Sequence, residues 1–296
     1  MYAKTLLWIA LLAFTACTGT KTSTSANADA EIIKFAILQL NDVYEISPLD
    51  EGRVGGMARV ATIKKQLETA VPTVITVLDG DYLNPSLIGS LKCDFDGTQD
   101  RVNGRQMVEV MNALGVDYVC FGNHEFDLKE KDLLARNQES KFQIISSNVW
   151  HKTASGDVAF QQNGKDLPEY VVHTVKGKKE AVRLSFLGLC LNFNQVDYVT
   201  YGDPYADGRR VYEAAKKESD VVLALTHLTM DMDKQLAAKV PEIPLLLGGH
   251  EHVNMSAKVG NSAVYKADAN AKTVYIHWCR YCIRTSECRR FWRWHR

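Results

Sequence analysis

Four short polar blocks carry the side chains of this sequence best suited to holding a cation. They are Asn41-Asp42-Val43-Tyr44, Asp79-Gly80-Asp81, Gly122-Asn123-His124-Glu125 and Gly248-Gly249-His250-Glu251-His252, with His227 alone before the last. Carboxylate, amide and imidazole groups together suit zinc, manganese or iron better than calcium, which prefers an all-oxygen shell. Two such cations about 3.5 to 4 Å apart clamp a phosphoryl group and lower the pKa of a water molecule near neutral pH. The pair needs a shared carboxylate together with further His, Asn and Asp ligands, and the blocks supply all of these types. The reading is of a two-metal site for hydrolysing phosphate esters.

Such a site works only if the blocks meet in space, and the segments before them show how they could. Phe35-Ala36-Ile37-Leu38-Gln39-Leu40, Val74-Ile75-Thr76-Val77-Leu78, Tyr118-Val119-Cys120-Phe121, Val221-Val222-Leu223-Ala224-Leu225 and Leu245-Leu246-Leu247 are short apolar runs that read as buried strands. Four end at a block and Val221 to Leu225 ends at Thr226-His227, and the ends of strands are where α/β sheets gather their chemistry. Met57 to Leu67 has helical spacing, and Gln106 to Leu114 reads as a helix closed by Gly115. Phe142 to Ser146 and Leu184 to Leu189 are further strands, and the polar stretch Lys152 to Asp166, with Gly156 and Gly164, reads as a surface insertion or hairpin.

Composition sets the frame. A chain of 296 residues, 46% hydrophobic, has enough material for one large domain or two small ones. Lys plus Arg equals Asp plus Glu at 35 each, so no global field favours a nucleic-acid polymer, and any recognition of an anion is local. The start, Met1-Tyr2-Ala3-Lys4 and then an apolar stretch to Phe14, is too short for an ordinary membrane span and reads as an export signal. Phe14-Thr15-Ala16-Cys17 is similar to a loose bacterial lipobox, which makes Cys17 a candidate for lipidation and residues 18–30 a polar tether. The expected setting is the periplasm or cell envelope, with a membrane met only through that anchor. Cys93, Cys120 and Cys190 show no disulfide framework by their spacing.

Taken together, the blocks resemble those of the calcineurin-like metallophosphoesterases, specifically the catalytic domain of bacterial exported 5′-nucleotidases, from about Ile32 to His277. The resemblance implies an α/β fold, a four-layer α/β/β/α sandwich of two mixed sheets, over residues 31–277. It implies two divalent metal ions, with Asp81 bridging them, Asp42 and His252 completing one site and Asn123, His227 and His250 the other. His124 matches the catalytic histidine and Asp127 the acid that orients it. The substrate implied is a small phosphoester or nucleotide.

Two departures stand out. The family has Asp-x-His where this chain has Asp42-Val43-Tyr44, and a neutral phenol is a poor ligand, so Tyr44 is a doubtful one. The family continues into a C-terminal domain that grips the base; the resemblance ends before it, and base selectivity is expected to be weak. Residues 278–296 hold three of the five Trp and three of the seven Cys without visible periodicity, and read as an atypical tail with a frame-shifted or truncated end. His151, His173, His277 and His295 read as structural, Asp79 as a residue that hydrogen-bonds its turn, and Asn84 and Asn148 as loop residues. The rival readings are a related hydrolase of UDP-sugars, cyclic nucleotides or sulfur esters, and a non-catalytic surface lipoprotein that keeps the fold.

Overall fold

The apolar runs that lead into the blocks become the central strands of two six-stranded sheets. The computed structural model describes residues 31–95, 97–283 and 291–295. The export signal, Cys17 and the whole of the tether lie outside the described residues.

In the first sheet Glu31–Leu40, Val74–Asp79, Tyr118–Cys120 and Gln143–Ile145 run parallel in that order, and Tyr275–Ile283 pairs antiparallel with the outer edge of Glu31–Leu40. In the second, Ala181–Cys190, Val221–His227, Leu245–Gly248 and Ser262–Lys266 are parallel neighbours, flanked by the antiparallel strands Tyr170–Lys176 and Met255–Val259. Parallel strands buried on both faces demand continuous apolar runs, which is why these segments carry so few charges.

Side-chain alternation assigns the layers. Ile33, Phe35, Ile37, Ile75 and Val77 of the first sheet pack against Leu184, Phe186, Leu223, Leu225 and Leu247 of the second, forming a core between the sheets. Leu38, Leu40, Leu78 and Val119 face the other way and pack with Met57, Val60, Met107 and Met111 of the helices Met57–Ala70 and Arg105–Leu114. Val211 and Leu236, on the helices Pro204–Ala215 and Met230–Lys239, do the same for Leu189, Ala224 and Leu246 of the second sheet. The result is the α/β/β/α sandwich, and each fully buried Leu, Ile or Phe stabilises it by about 1.5–3 kcal/mol. The insertion at 152–166 resolves into two hairpins, Val149–Thr153 with Gly156–Val158 and Gln161–Gln162 with Lys165–Asp166.

The boundary expected at His277 falls inside a strand. Tyr275, His277, Cys279 and Tyr281 are buried at every second position, while Ile276, Trp278 and Arg280 are more exposed. This two-residue period is present in the sequence but hidden, because its inward residues are amphipathic and do not read as a core face. Phe291–His295 continues the sheet, pairing antiparallel with Trp278 to Cys282.

Candidate metal centre

All six residues expected to hold metal sit at or just beyond the C-terminal ends of parallel strands, so the sandwich delivers them to one rim. Asp42 follows Glu31–Leu40, Asp81 follows Val74–Asp79, Asn123 follows Tyr118–Cys120, His227 ends its strand, and His250 and His252 follow Leu245–Gly248. Four of them stand in the left-handed region, with φ of 53° at Asp42, 59° at Asp81, 89° at His250 and 60° at His252. Non-glycine residues held there cost about 1–3 kcal/mol each and concentrate at functional sites. Glycines make the approach possible: a Cβ on Gly122 would collide with the Asp81 carboxylate, and one on Gly249 with the Asp79 carbonyl and the His227 ring.

Asp42, Asp81 and His227 each aim one ligand atom at a common point, these atoms lying within 4.8 Å of one another. His227 Nε2 is 3.2 Å from Asp81 Oδ2 and 3.9 Å from Asp42 Oδ1. Its Nδ1 lies 2.7 Å from the Asp79 carbonyl, which fixes Nδ1 as the N–H and turns Nε2 toward the carboxylates. His252 Nε2 is 3.2 Å from Asp42 Oδ1, and His250 Nδ1 is 3.2 Å from Asn123 Oδ1. The His250 and His227 rings meet edge to face at 5.4 Å. The Tyr44 hydroxyl reaches the same cluster, 2.8 Å from Asp81 Oδ2 and 2.9 Å from His252 Nε2.

His124 and Asp127 lie on one short 3-10 turn beside this cluster, with Nδ1 2.6 Å from Asp127 Oδ2. The His124 amide donates to Asp81 Oδ1 at 2.8 Å, tying the turn to the centre. Asn84 and Asn194 donate to the two oxygens of Asp127 at 2.8 and 2.5 Å. The carboxylate is therefore fixed from two sides, and it holds the His124 ring through Nδ1, leaving Nε2 outside that contact.

Several supporting residues carry no role in the sequence reading. Glu125, fully buried, accepts the amides of Asp81, Tyr82, Leu83 and Gly122 at 2.8, 2.8, 3.1 and 2.6 Å. Burial and the nearby Asp81 charge push its carboxyl up to about 7 against the pull of those amides. Lys266, also buried, joins Asp233 at 2.9 Å, the Gly249 carbonyl at 2.7 Å and Glu251, pinning the loop that bears His250 and His252. Asn41 bridges Asp42 Oδ2 at 2.8 Å and the Ala267 carbonyl at 3.0 Å. A charged residue in an apolar run, as at Lys266, is the available signal. Asp79 departs from the expectation of a turn cap: its carboxylate accepts from Gln39 Nε2 at 2.9 Å on the neighbouring strand. His151, His173 and His277 meet Glu130, Tyr118 and Gln39 at 2.7, 2.8 and 2.8 Å.

The residues fit a divalent cation on two counts. Mixed carboxylate, imidazole and amide donors suit zinc, manganese or iron. His227 Nε2 is wholly buried and faces two carboxylates, Asp81 Oδ2 at 3.2 Å and Asp42 Oδ1 at 3.9 Å, the donor pair a cation would share with the ring once its proton is lost.

Burial acts to lower the His227 pKa, but the Asp81 and Asp42 charges outweigh it and carry the ring from the usual 6.5 to about 10. In the metal-free protein this raised value contributes stability that is fully present below pH 6.5 and fades as the pH climbs through 10. A cation must displace the same proton, so its affinity moves the opposite way, rising by about tenfold per pH unit in that window. Calorimetric titration of manganese at pH 7 and 8, in buffers of differing ionisation enthalpy, should show tightening and the release of a proton. An affinity that is flat with pH would contradict this.

The fold and this rim define a class: an α/β/β/α sandwich with a carboxylate and imidazole cluster at the strand ends. The chain belongs to the calcineurin-like phosphoesterase family, whose model matches residues 35–254. It is 30% identical over 238 residues to a human 5′-nucleotidase, a match covering 74% of this chain and 38% of that protein. It is 28% identical over 178 residues to the trifunctional nucleotide phosphoesterase YfkN of Bacillus subtilis, covering 51% of this chain and 12% of that one. The chain thus spans well under half the length of these relatives. Among solved structures it resembles calcineurin-like phosphoesterase YfkN from B. subtilis, with a TM-score of 0.70 at 17% identity over 89% of both chains. The 5′-nucleotidase precursor of Thermus thermophilus gives a TM-score of 0.66 at 20% identity, covering 84% of this chain and 51% of that one.

Proposed function

We propose that the chain hydrolyses phosphate esters of small molecules, 5′-nucleotides among them, at a centre of two divalent cations. The convergence of Asp42, Asp81 and His227 on one buried point carries this reading, with Asn123, His250 and His252 completing the donor set. Cations held there would neutralise charge on the phosphoryl oxygens and acidify the attacking water. The protein's own part is geometric and protonic. His124, oriented through Nδ1 by Asp127, presents Nε2 to the leaving oxygen and gives it a proton. Balanced charge argues against a nucleic-acid polymer as substrate. We further propose export to the cell envelope with lipid attachment at Cys17. No helix among the described residues is long and apolar enough to cross a membrane.

The test is phosphate release from AMP and from an aryl phosphate, with added manganese or zinc, by protein beginning at Thr18. His124→Ala should lower kcat by about 10²–10⁴ at unchanged cation content. A folded, cation-loaded protein that releases no phosphate would establish the binding-only reading instead.

Phe193 bears on the substrate. Its side chain is 62% exposed, its ring lies 6.2 Å from that of His250, and Tyr201 holds its loop through the Asn194 carbonyl at 2.9 Å. An aromatic face at the rim is suited to a nucleobase or aryl group, and base stacking is worth about 1–3 kcal/mol. Phe193→Ala should raise KM for AMP about tenfold, the change that corresponds to about 1.4 kcal/mol, and leave a small alkyl phosphate unaffected. An equal effect on both substrates would remove Phe193 from base recognition.

A further inference from the structure

We infer that Tyr44 makes the two cation positions unequal, so that one divalent ion binds tightly beside His227 and a second, at Asp42 and His252, binds only weakly. This rests on the two-cation reading above and specifies how the centre fills.

The two halves of the cluster differ in how well the protein satisfies them by itself. On one side His227 Nε2 is wholly buried and faces the two carboxylates, Asp81 Oδ2 at 3.2 Å and Asp42 Oδ1 at 3.9 Å, with the Tyr44 hydroxyl making no hydrogen bond to it. On the other, the Tyr44 hydroxyl stands 2.8 Å from Asp81 Oδ2, 2.9 Å from His252 Nε2 and 3.4 Å from Asp42 Oδ1. With His252 Nε2–H donating to the phenol oxygen and the phenol O–H donating to Asp81, every donor there has an acceptor. The atoms that would bind the second ion are therefore already engaged. In that arrangement His252 also has its proton, not its lone pair, directed into the cluster.

The phenol is held in this position by its surroundings. Tyr44 is 6% exposed, and its amide donates to Asn270 Oδ1 at 2.9 Å. Its ring packs edge to face against His252 at 5.4 Å and His124 at 6.2 Å. A second ion must break the contacts to Asp81 and His252 and cannot simply displace the ring to solvent. Losing two hydrogen bonds to charged partners corresponds to a dissociation constant weaker by about 100-fold or more.

The experiment is a titration of the metal-stripped protein with manganese, followed by electron paramagnetic resonance, which separates a lone Mn²⁺ from an exchange-coupled pair without needing turnover. The unaltered protein should show one tight, uncoupled ion, with a coupled signal appearing only at about 100-fold higher manganese. Tyr44→His should bring both ions to comparable affinity and give the coupled signal at two equivalents. Two equally tight ions in the unaltered protein overturn the inference while leaving the hydrolase reading intact. A folded Tyr44→His protein that still takes one ion tightly also overturns it, because the hydroxyl would not be the cause. If Tyr44→His does not fold, the titration of the unaltered protein decides alone. Absence of any manganese binding overturns the two-cation reading and this inference with it.

Discussion

Asp81→Asn should lower metal-dependent phosphate release by about 10³–10⁴, the equivalent of removing several kcal/mol of cation-borne stabilisation. Asn nearly matches Asp in size, so the effect isolates charge from packing. Asp81 is buried and its two oxygens serve three groups: Oδ1 accepts the His124 amide at 2.8 Å, while Oδ2 meets Tyr44 at 2.8 Å and His227 at 3.2 Å. It joins the candidate cation-binding atoms to the turn that carries His124. Burial acts to raise its carboxyl, but the neighbouring His227 outweighs that and holds it down to about 2, so the group is a carboxylate across the working range. An amide there offers one weaker ligand oxygen and no charge. Steady-state rates and cation content measured together check this; a variant within tenfold of the parent at full cation loading would refute it.

Glu125→Ala should destabilise the metal-free protein by about 3–5 kcal/mol, the scale for emptying a buried charged network. Four amides, those of Asp81, Tyr82, Leu83 and Gly122, direct their N–H groups at this one carboxylate. Asp81 is held at φ 59° and Gly80 at φ 77°, a path that the amides' common acceptor keeps closed. Buried donors left without an acceptor cost about 1–3 kcal/mol each before relaxation. Glu125→Gln should fall between, because its single carbonyl oxygen can accept from some of the four amides but not all. Urea denaturation followed by circular dichroism gives the ordering; equal midpoints for all three proteins would show that the loop keeps its shape without Glu125.

Much of this architecture is legible in the residues. The runs ending at Leu40, Leu78, Leu225 and Leu247 are too apolar and too short to be anything but buried strands, and each hands over to a polar block. The helices at Met57 and Arg105 follow from periodicity, with Gly115 at φ 70° ending the second. The strand Tyr275–Ile283 escapes such a reading because His277, Cys279 and Tyr281 do not form a recognisable apolar face until a partner sheet covers them. Asp79 misleads for a related reason. Its proximity in sequence to Gly80 suggests a local turn, but its carboxylate finds Gln39, forty residues away, across the sheet.

The sequence by itself determined which side chains could meet a cation, because ligand chemistry belongs to residue types, and it determined that they lie at strand ends, because hydrophobic runs and polar breaks are local signals. Only the tertiary structure decided how those side chains satisfy one another. The meeting of His227 Nε2 with Asp81, the four amides gathered by Glu125, the Lys266 clamp and the placement of the Tyr44 hydroxyl all join residues far apart in the chain. Hydrogen bonding and burial at such distances depend on strand order and sheet packing, which no local stretch of sequence records.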